Sequence, residues 1–219
     1  PNRWECWGQG TATFMIAGEK CTRACGFCAV ETARPEALEV DEPERVAEAT
    51  QRMNLNHIVI TAVARDDLKD GGAGHFQRTI EAVRKSNPKI IIEVLVPDFN
   101  DKDWALEMVM EARPHIFNHN IETVERLTPL VRSRAKYGRS LTVLKKAKDM
   151  VEGKVATKSG LMLGLGEREE EILQAMDDLL EHGVTVLTMG QYLRPTAMHL
   201  PVVDYITPDR FDELREIAL

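Results

Sequence analysis

Short apolar runs alternate along the chain with stretches in which apolar positions recur every three or four residues. A short apolar run bounded by turn residues is typical of a buried strand, and the recurring spacing is typical of an amphipathic helix. The runs predict strands at 11–17, 57–61, 89–96, 116–121, 159–164 and 184–193. The recurring spacing predicts helices at 44–53, 76–85, 104–112, 141–151, 169–182 and 209–219. The pattern is therefore a repeated strand–helix unit.

Strands that are apolar on both faces and alternate with helices form a parallel sheet that is covered by helices. Six such units are too few for an eight-fold barrel. They favour an α/β fold, a partial (β/α)6 TIM-like barrel with parallel strands inside and helices outside. A doubly wound open sheet is compatible with the same pattern. In both folds the loops that leave the C-terminal ends of the strands build the functional site.

The bulk composition is ordinary for one folded domain: 219 residues, 43% hydrophobic and 29% charged, with a formal net charge of -7. Because Lys and Arg are interspersed with acidic residues, we expect no binding to nucleic acid. No apolar stretch approaches the length of about 20 residues that a membrane span needs, so we expect no membrane insertion.

Three of the four cysteines, Cys21, Cys25 and Cys28, crowd one loop directly after the first predicted strand. Thiolates are the usual ligands of iron–sulfur clusters, and three of them leave one iron of a cubane open for chemistry. A structural zinc site usually repeats its C-x2-C pairs, and a disulfide framework usually spreads its cysteines, so both alternatives are weaker. Reduced thiols in a tight loop also indicate a cytoplasmic location, or the mitochondrial matrix or plastid in a eukaryote.

The cysteine motif and several other blocks resemble known enzymes. The spacing C-x3-C-x2-C after a first strand, with Phe27 before the last cysteine, resembles the signature of radical S-adenosylmethionine (SAM) enzymes. Further blocks look like lipoyl synthase and run in that family's order: TATFMI at 11–16, RDDLKDGGA at 65–73, VPDF at 96–99, NHNIETV at 118–124, RSL at 139–141, TKSGLMLGLGE at 157–167 and QYLRP at 191–195. The cysteine motif is specific to the superfamily, whereas RDDL and QYLRP narrow the resemblance to the family.

The resemblance implies a sulfurtransferase of lipoate biosynthesis, which inserts two sulfur atoms at carbons 6 and 8 of an octanoyl group on a lipoyl carrier protein. Cys21, Cys25 and Cys28 would hold a 4Fe-4S cluster whose open iron binds S-adenosylmethionine. One electron, from a donor such as flavodoxin or ferredoxin, would split the sulfonium to give a 5′-deoxyadenosyl radical. That radical would remove hydrogen from the octanoyl chain, while the protein positions the cofactor.

The family also has a second, auxiliary 4Fe-4S cluster, whose cysteines follow C-x4-C-x5-C. Cys6 matches the last of these, while the other two cysteines and the family's C-terminal Arg-Ser-Ser-Tyr stretch are not in the sequence. We therefore interpret 1–18 as a remnant of that region with the first strand, and 19–219 as the radical SAM core of a single domain. We expect one cluster to bind well and the second poorly or not at all. A count of about eight irons and eight sulfides per chain, enough for two cubanes, would contradict this.

The resemblance also implies contacts to the SAM nucleoside. Phe27 would pack against the adenine, although it is equally compatible with a place in the core. Asn120 and Glu122 are two residues apart at a predicted strand end, so both side chains would point to one face and bind the ribose hydroxyls. The alternative is that Glu122 is merely solvated beside a helix cap. Gly164 would line the adenine side of the site, although this glycine is equally compatible with a tight strand-to-helix turn. Gln191 would also contact the cofactor.

The methionine part of SAM would be held by other strand-end residues. Thr61 and Asp66 would contact the amino group, although the Arg-Asp-Asp stretch is equally compatible with a loop ion pair. Arg139 is predicted to lie in a loop and to bind the carboxylate, because a guanidinium is a natural partner for that group. Its alternative is a solvated surface residue.

Other functions remain open on the sequence alone. A biotin-synthase-like radical SAM enzyme would act on dethiobiotin rather than on an octanoyl peptide. A non-catalytic iron–sulfur electron carrier would need a fourth ligand for its cluster and would not cleave SAM. A zinc-binding scaffold would be exposed by anaerobic metal analysis.

Overall fold

The computed structural model describes residues 7–151 and 154–218. Within these ranges the strands are β1 (Thr11–Ile16), β2 (His57–Ala62), β3 (Ile91–Leu95), β4 (Ile116–Asn118), β5 (Ala156–Leu163) and β6 (Val186–Gln191). The α-helices are α1 (Glu42–Arg52), α2 (Ala73–Ser86), α3 (Asp103–Glu111), α4 (Thr128–Val131), α5 (Tyr137–Met150), α6 (Glu169–Glu181) and α7 (Pro208–Ala218). None of these helices is long and apolar enough to span a bilayer.

The sheet confirms the predicted partial barrel. Its strands lie in the order β1-β2-β3-β4-β5-β6, and each neighbouring pair is parallel. A doubly wound sheet would reverse its strand order at a switch point, so that alternative is wrong. In the described part of the chain β1 and β6 do not pair, and the barrel is therefore open along one side.

The two faces of the sheet have different neighbours. Side chains that alternate along β2, such as Ile58 and Ile60, are fully buried against the helices. The opposite face lines an open trough, where Met15 on β1 and Val186 on β6 are 47% and 41% exposed. The parallel register aligns the strand ends, so the loops that follow them meet at one mouth.

The helices pack through apolar stripes that the sequence period predicts. On α2 the positions of Phe76, Ile80 and Val83 recur every three or four residues, and all three side chains are buried. Burial of each such side chain contributes about 1.5–3 kcal/mol. The stripe therefore fixes α2 against the sheet and leaves its charged face in solvent.

Two differences between the predicted elements and the structure concern predicted site residues. Strand β4 ends at Asn118 rather than at residue 121, because Glu122 adopts a left-handed φ of 66° and the intervening backbone bonds irregularly to β5. Asn120 and Glu122 are therefore not on a regular strand. Helix α5 begins at Tyr137, so Arg139, which was predicted to lie in a loop, lies in its first turn.

Candidate metal centre and cofactor site

The cysteine loop begins where the backbone turns sharply at the end of β1. Ala17 and Gly18 have φ values of 66° and 91°, which direct the chain out of the sheet. Cys21, Cys25 and Cys28 follow as free, half-buried thiols. Burial raises the pKa of the Cys25 thiol to about 11, and this increase is opposed chiefly by the positive charge of Arg132.

The loop is clamped on two sides by backbone hydrogen bonds. The Gly26 amide donates to the Val131 carbonyl at 2.9 Å, and the Gly26 carbonyl accepts from the Leu200 amide at 3.0 Å. Next to it, His199 Nε2 lies 3.0 Å from the Cys28 carbonyl oxygen. A Cβ at Gly26 would lie 3.0 Å from the Leu200 side chain, so glycine permits this close approach. The segment after β6 is thereby attached to the loop after β1.

Arg23 anchors the same loop to the ends of β2 and β3. Its Nε and Nη2 donate to the two carboxylate oxygens of Asp66, each at 2.8 Å, and Nη2 also donates to Asp98 at 2.6 Å. Although burial opposes the change, the Arg23 guanidinium lowers the pKa of Asp98 to about 2. Asp66 also accepts from Asn100 at 2.8 Å. Asp66 therefore forms an ion pair and also lies at the mouth. Both predicted roles, a loop ion pair and a contact to the SAM amino group, stay open.

Arg139 already has carboxylate partners. Its Nη1 donates to Asp98 at 3.2 Å, and its Nε lies 3.6 Å from Asp101. The guanidinium is largely buried and lies at the strand ends, as expected for a site residue. Its predicted contact with the SAM carboxylate stays a prediction.

A buried polar chain that the sequence analysis did not single out lies beneath the loop. Arg132 Nη1 donates to Ser140 Oγ at 3.0 Å, and Ser140 Oγ lies 2.9 Å from His119 Nε2. His119 Nδ1 lies 2.8 Å from the Val96 carbonyl oxygen, which can only accept, so Nδ1 carries the proton and Ser140 donates to Nε2. Burial lowers the pKa of His119 to about 4, which keeps the ring neutral. These residues share no local motif that could have predicted the chain.

Asn120 and Glu122 lie together even though the strand ends before them. Asn120 Nδ2 donates to Glu122 Oε1 at 3.1 Å, and burial raises the pKa of the Glu122 carboxyl. Asn120 Oδ1 is buried without a hydrogen-bond partner among the described residues. A Cβ at Gly160 would lie only 2.8 Å from that oxygen, so the glycine makes room for the Asn120 side chain. An amide and a carboxylate side by side can bind neighbouring hydroxyl groups.

Gly164 and Gln191 meet at the end of β5 and β6. Gly164 has a φ of 105°, and a Cβ there would lie 2.5 Å from the Asp204 carbonyl oxygen. Gln191 donates to that same carbonyl at 3.1 Å and accepts from the Ile206 amide at 2.8 Å. Gln191 therefore secures the segment after β6, and its predicted cofactor contact stays a prediction.

The other predicted contacts lie around the mouth. Thr61 donates its hydroxyl to the Leu95 carbonyl at 3.1 Å, where β2 and β3 end. Phe27 is partly buried and packs against the core, which leaves both of its predicted roles open. Cys6, the predicted auxiliary-cluster ligand, lies outside the described residues.

The donor set fits a cubane cluster. Three free thiols lie in one clamped loop at the mouth, and thiolates are the ligands of such clusters. Among the described residues no group of three His, Cys, Asp or Glu side chains is placed to hold a metal ion. A cubane does not need such a group, because each of its thiolates binds a different iron. The unpartnered Asn120 oxygen likewise fits a hydroxyl donor from a ribose.

Comparisons with known proteins agree with this geometry. The profile of the radical SAM superfamily matches residues 15–179. Lipoyl synthase of Shouchella clausii (strain KSM-K16) is 58% identical over 220 residues, which cover 100% of this chain and 71% of the relative. Lipoyl synthase of Rubrobacter xylanophilus is 57% identical, with 100% of this chain and 68% of the relative covered.

Solved structures show the same fold at low sequence identity. Streptococcus suis SuiB bound to S-adenosylmethionine has a TM-score of 0.74 and 13% identity, over 94% of this chain and 46% of that chain. Methylornithine synthase has a TM-score of 0.70 and 11% identity, over 94% of this chain and 61% of that chain.

Proposed function

This chain belongs to the lipoyl synthase family of the radical SAM superfamily, and on that premise we propose the residues through which it acts. It is a sulfur-inserting enzyme that acts on octanoyl groups of carrier proteins and depends on a 4Fe-4S cluster and S-adenosylmethionine. The sulfur atoms enter at carbons 6 and 8 of the octanoyl chain, which gives the lipoyl cofactor.

One observation carries the assignment of the metal centre. Three free thiols lie in a single loop, and backbone hydrogen bonds clamp that loop at the mouth of the partial barrel. We assign Cys21, Cys25 and Cys28 as the ligands of the cluster. When bound, the cluster and SAM together supply the 5′-deoxyadenosyl radical that removes hydrogen from the octanoyl chain. The clamped loop holds the three thiols in place, and a cluster held by only these three would keep one iron free for SAM.

The nucleoside and methionine contacts are assigned to strand-end residues. Asn120 and Glu122 bind the ribose hydroxyls, which is supported by the unpartnered Asn120 oxygen. Phe27 and Gly164 are assigned to the adenine, and Gln191, which lies against Gly164, is assigned as a further cofactor contact. The amino group is assigned to Thr61 and Asp66, and the carboxylate to Arg139. In the structure all three form hydrogen bonds within the protein.

The open side of the barrel provides the entry for the substrate. The trough between β1 and β6 is accessible, and its exposed apolar side chains Met15 and Val186 suit an alkyl chain. We propose that the octanoyl-lysine of the carrier enters there. A low-potential protein such as flavodoxin or ferredoxin supplies the electron, and a reducing cytoplasm keeps the thiols free.

The test is whether octanoyl hydrogen reaches 5′-deoxyadenosine. The chain is reconstituted anaerobically with iron and sulfide, reduced with dithionite, and given SAM and a perdeuterated octanoyl-lysyl peptide. We expect deuterium in 5′-deoxyadenosine, a readout that does not require a second cluster as sulfur source. The matched control is Cys25→Ser, which should form no 5′-deoxyadenosine.

Two results would contradict the proposal. Absence of 5′-deoxyadenosine from protein that holds a full cluster would favour an electron carrier. Consumption of dethiobiotin without any reaction of the octanoyl peptide would favour a biotin-synthase-like enzyme.

A further inference from the structure

Arg132 lies directly opposite Cys25 in two segments that are hydrogen-bonded to each other. The Val131 carbonyl accepts from the Gly26 amide at 2.9 Å. Ser133 Oγ donates to the Ala24 carbonyl at 3.3 Å. These two bonds flank Arg132 on one segment and Cys25 on the other, so the two residues are the centres of apposed segments.

The Arg132 guanidinium is buried without an ion pair. Arg132 is only 7% exposed. Its Nη1 donates to the Ile121 carbonyl and to Ser140 Oγ, each at 3.0 Å. Both acceptors are neutral. Among the described residues, no carboxylate oxygen lies within 4.0 Å of the Arg132 guanidinium nitrogens, the limit for an ion pair. Buried charges are normally paired, so this cation needs an explanation.

The charge of Arg23, the other arginine near the loop, is already compensated. Arg23 is neutralised by Asp66 and Asp98, which lie 2.8 and 2.6 Å from its Nη2. Glu122 and Cys25 are the anionic or ionisable groups that act most strongly on Arg132. Glu122 does not lie within ion-pair distance of Arg132 and accepts a hydrogen bond from Asn120 instead. The charge of Arg132, which has no ion-pair partner among the described residues, therefore faces Cys25 and whatever that thiol binds.

We propose that Arg132 compensates the negative charge of the thiolate-bound cluster and thereby raises its reduction potential. This role of Arg132 rests on the proposed function, with its cluster at Cys21, Cys25 and Cys28. One-electron reduction by an external donor adds a negative charge to the centre. A cation in the surrounding low dielectric favours that reduced form, because the attraction is poorly screened there. Arg132 thus acts on the cluster through its charge and makes no bond to iron.

The experiment is a redox titration of the reconstituted protein without SAM, followed by electron paramagnetic resonance. Arg132→Gln removes the charge but keeps hydrogen-bond donors for Ile121 and Ser140. We expect its reduction potential to shift to a more negative value than that of the wild type. Arg132→Lys keeps the charge and should restore a potential close to the wild-type value.

The matched control is Arg134→Gln, which makes the same substitution at an exposed arginine two residues away. Its potential should equal that of the wild type. If Arg132→Gln fails to retain iron, retention by Arg132→Lys still supports the role of charge. Equal loss of iron in both variants would overturn it, because the shape of the guanidinium would then matter instead.

Two further outcomes are decisive. An Arg132→Gln protein with full iron content and an unchanged SAM-free potential, but with weaker SAM binding, would overturn the proposal and make Arg132 a ligand of the SAM carboxylate. A wild-type protein that binds no cluster would instead refute the proposed function. The two failures are therefore distinguishable, because the first occurs in protein that still holds its cluster.

Discussion

Replacing Arg23 with methionine removes the guanidinium that joins the cysteine loop to the ends of β2 and β3. Asp98 would lose its 2.6 Å contact while its side chain stays fully buried. Removing one partner of a buried ion pair is destabilising by about 3–5 kcal/mol. Arg139 remains on the other Asp98 oxygen at 3.2 Å, so we expect a loss of about 3 kcal/mol, at the low end of that range. This is a large part of a typical domain stability of about 5–15 kcal/mol.

Equilibrium urea unfolding of the cluster-free protein measures this loss. With a slope of about 2 kcal/mol per molar urea, the midpoint should fall by about 1.5 M. Adding Asp98→Asn should recover part of the loss, because the buried carboxylate that has lost its Arg23 partner is then removed. The control Arg126→Met breaks an exposed pair with Glu171 and should change stability by about 0–1 kcal/mol. A loss below about 1 kcal/mol for Arg23→Met would mean that the buried pair contributes no more than an exposed one, which contradicts the prediction.

The same substitution should change the acid limb of the stability curve. The pKa of Asp98 is about 2 in the folded protein, against about 3.9 in an unfolded chain. Because the folded value is the lower one, the carboxylate stabilises the protein above about pH 3.9 and loses that effect as the pH falls towards 2. Without Arg23 the folded pKa rises, so acid unfolding should begin at a higher pH. Identical acid limbs for both proteins would contradict the ion pairing.

Three more substitutions test the site. Gly160→Ala places a Cβ 2.8 Å from Asn120 Oδ1, so SAM binding should weaken about tenfold, or by about 1.4 kcal/mol. Equilibrium dialysis measures this change. The control Gly138→Ala has open space around the new Cβ and should leave SAM binding unchanged. Cys25→Ala should lose the cluster absorbance and most of the bound iron, and a full iron content would refute its role as a ligand. His119→Asn should make the loss of stability between about pH 6.5 and 4 less steep. The folded pKa of His119 is about 4, so the unfolded chain takes up a proton first and wild-type stability decreases as the pH falls through this range, a contribution that the variant lacks.

The strands and helices could be predicted from the sequence because each element carries its own period. Apolar runs such as that of β2 are buried on the helix-facing side, and the stripe on α2 recurs with the helical period. The cysteine loop could also be predicted, since its spacing alone indicates a cluster. These features depend on residues that are close together in the chain.

Residues that act through distant partners were harder to predict. Arg139 was predicted as a solvated or carboxylate-binding loop residue, whereas it lies on α5 and pairs with Asp98, 41 positions away. Asn120 and Glu122 were predicted to share a strand face, whereas a left-handed φ at Glu122 brings them together by another route. Arg132 gave no signal, because an isolated arginine in a loop looks like any other exposed basic residue.

The attachment of Leu200 and His199 to the cysteine loop couples the two margins of the sheet. Strain introduced at β6 would reach the metal-binding thiols through the hydrogen bonds at Gly26 and Cys28, without passing through the four strands between. Substitutions at that far margin should therefore impair iron retention before they lower the melting temperature. In this partial barrel, iron retention at the cysteine loop therefore depends on β6, the strand farthest from β1 in the sheet.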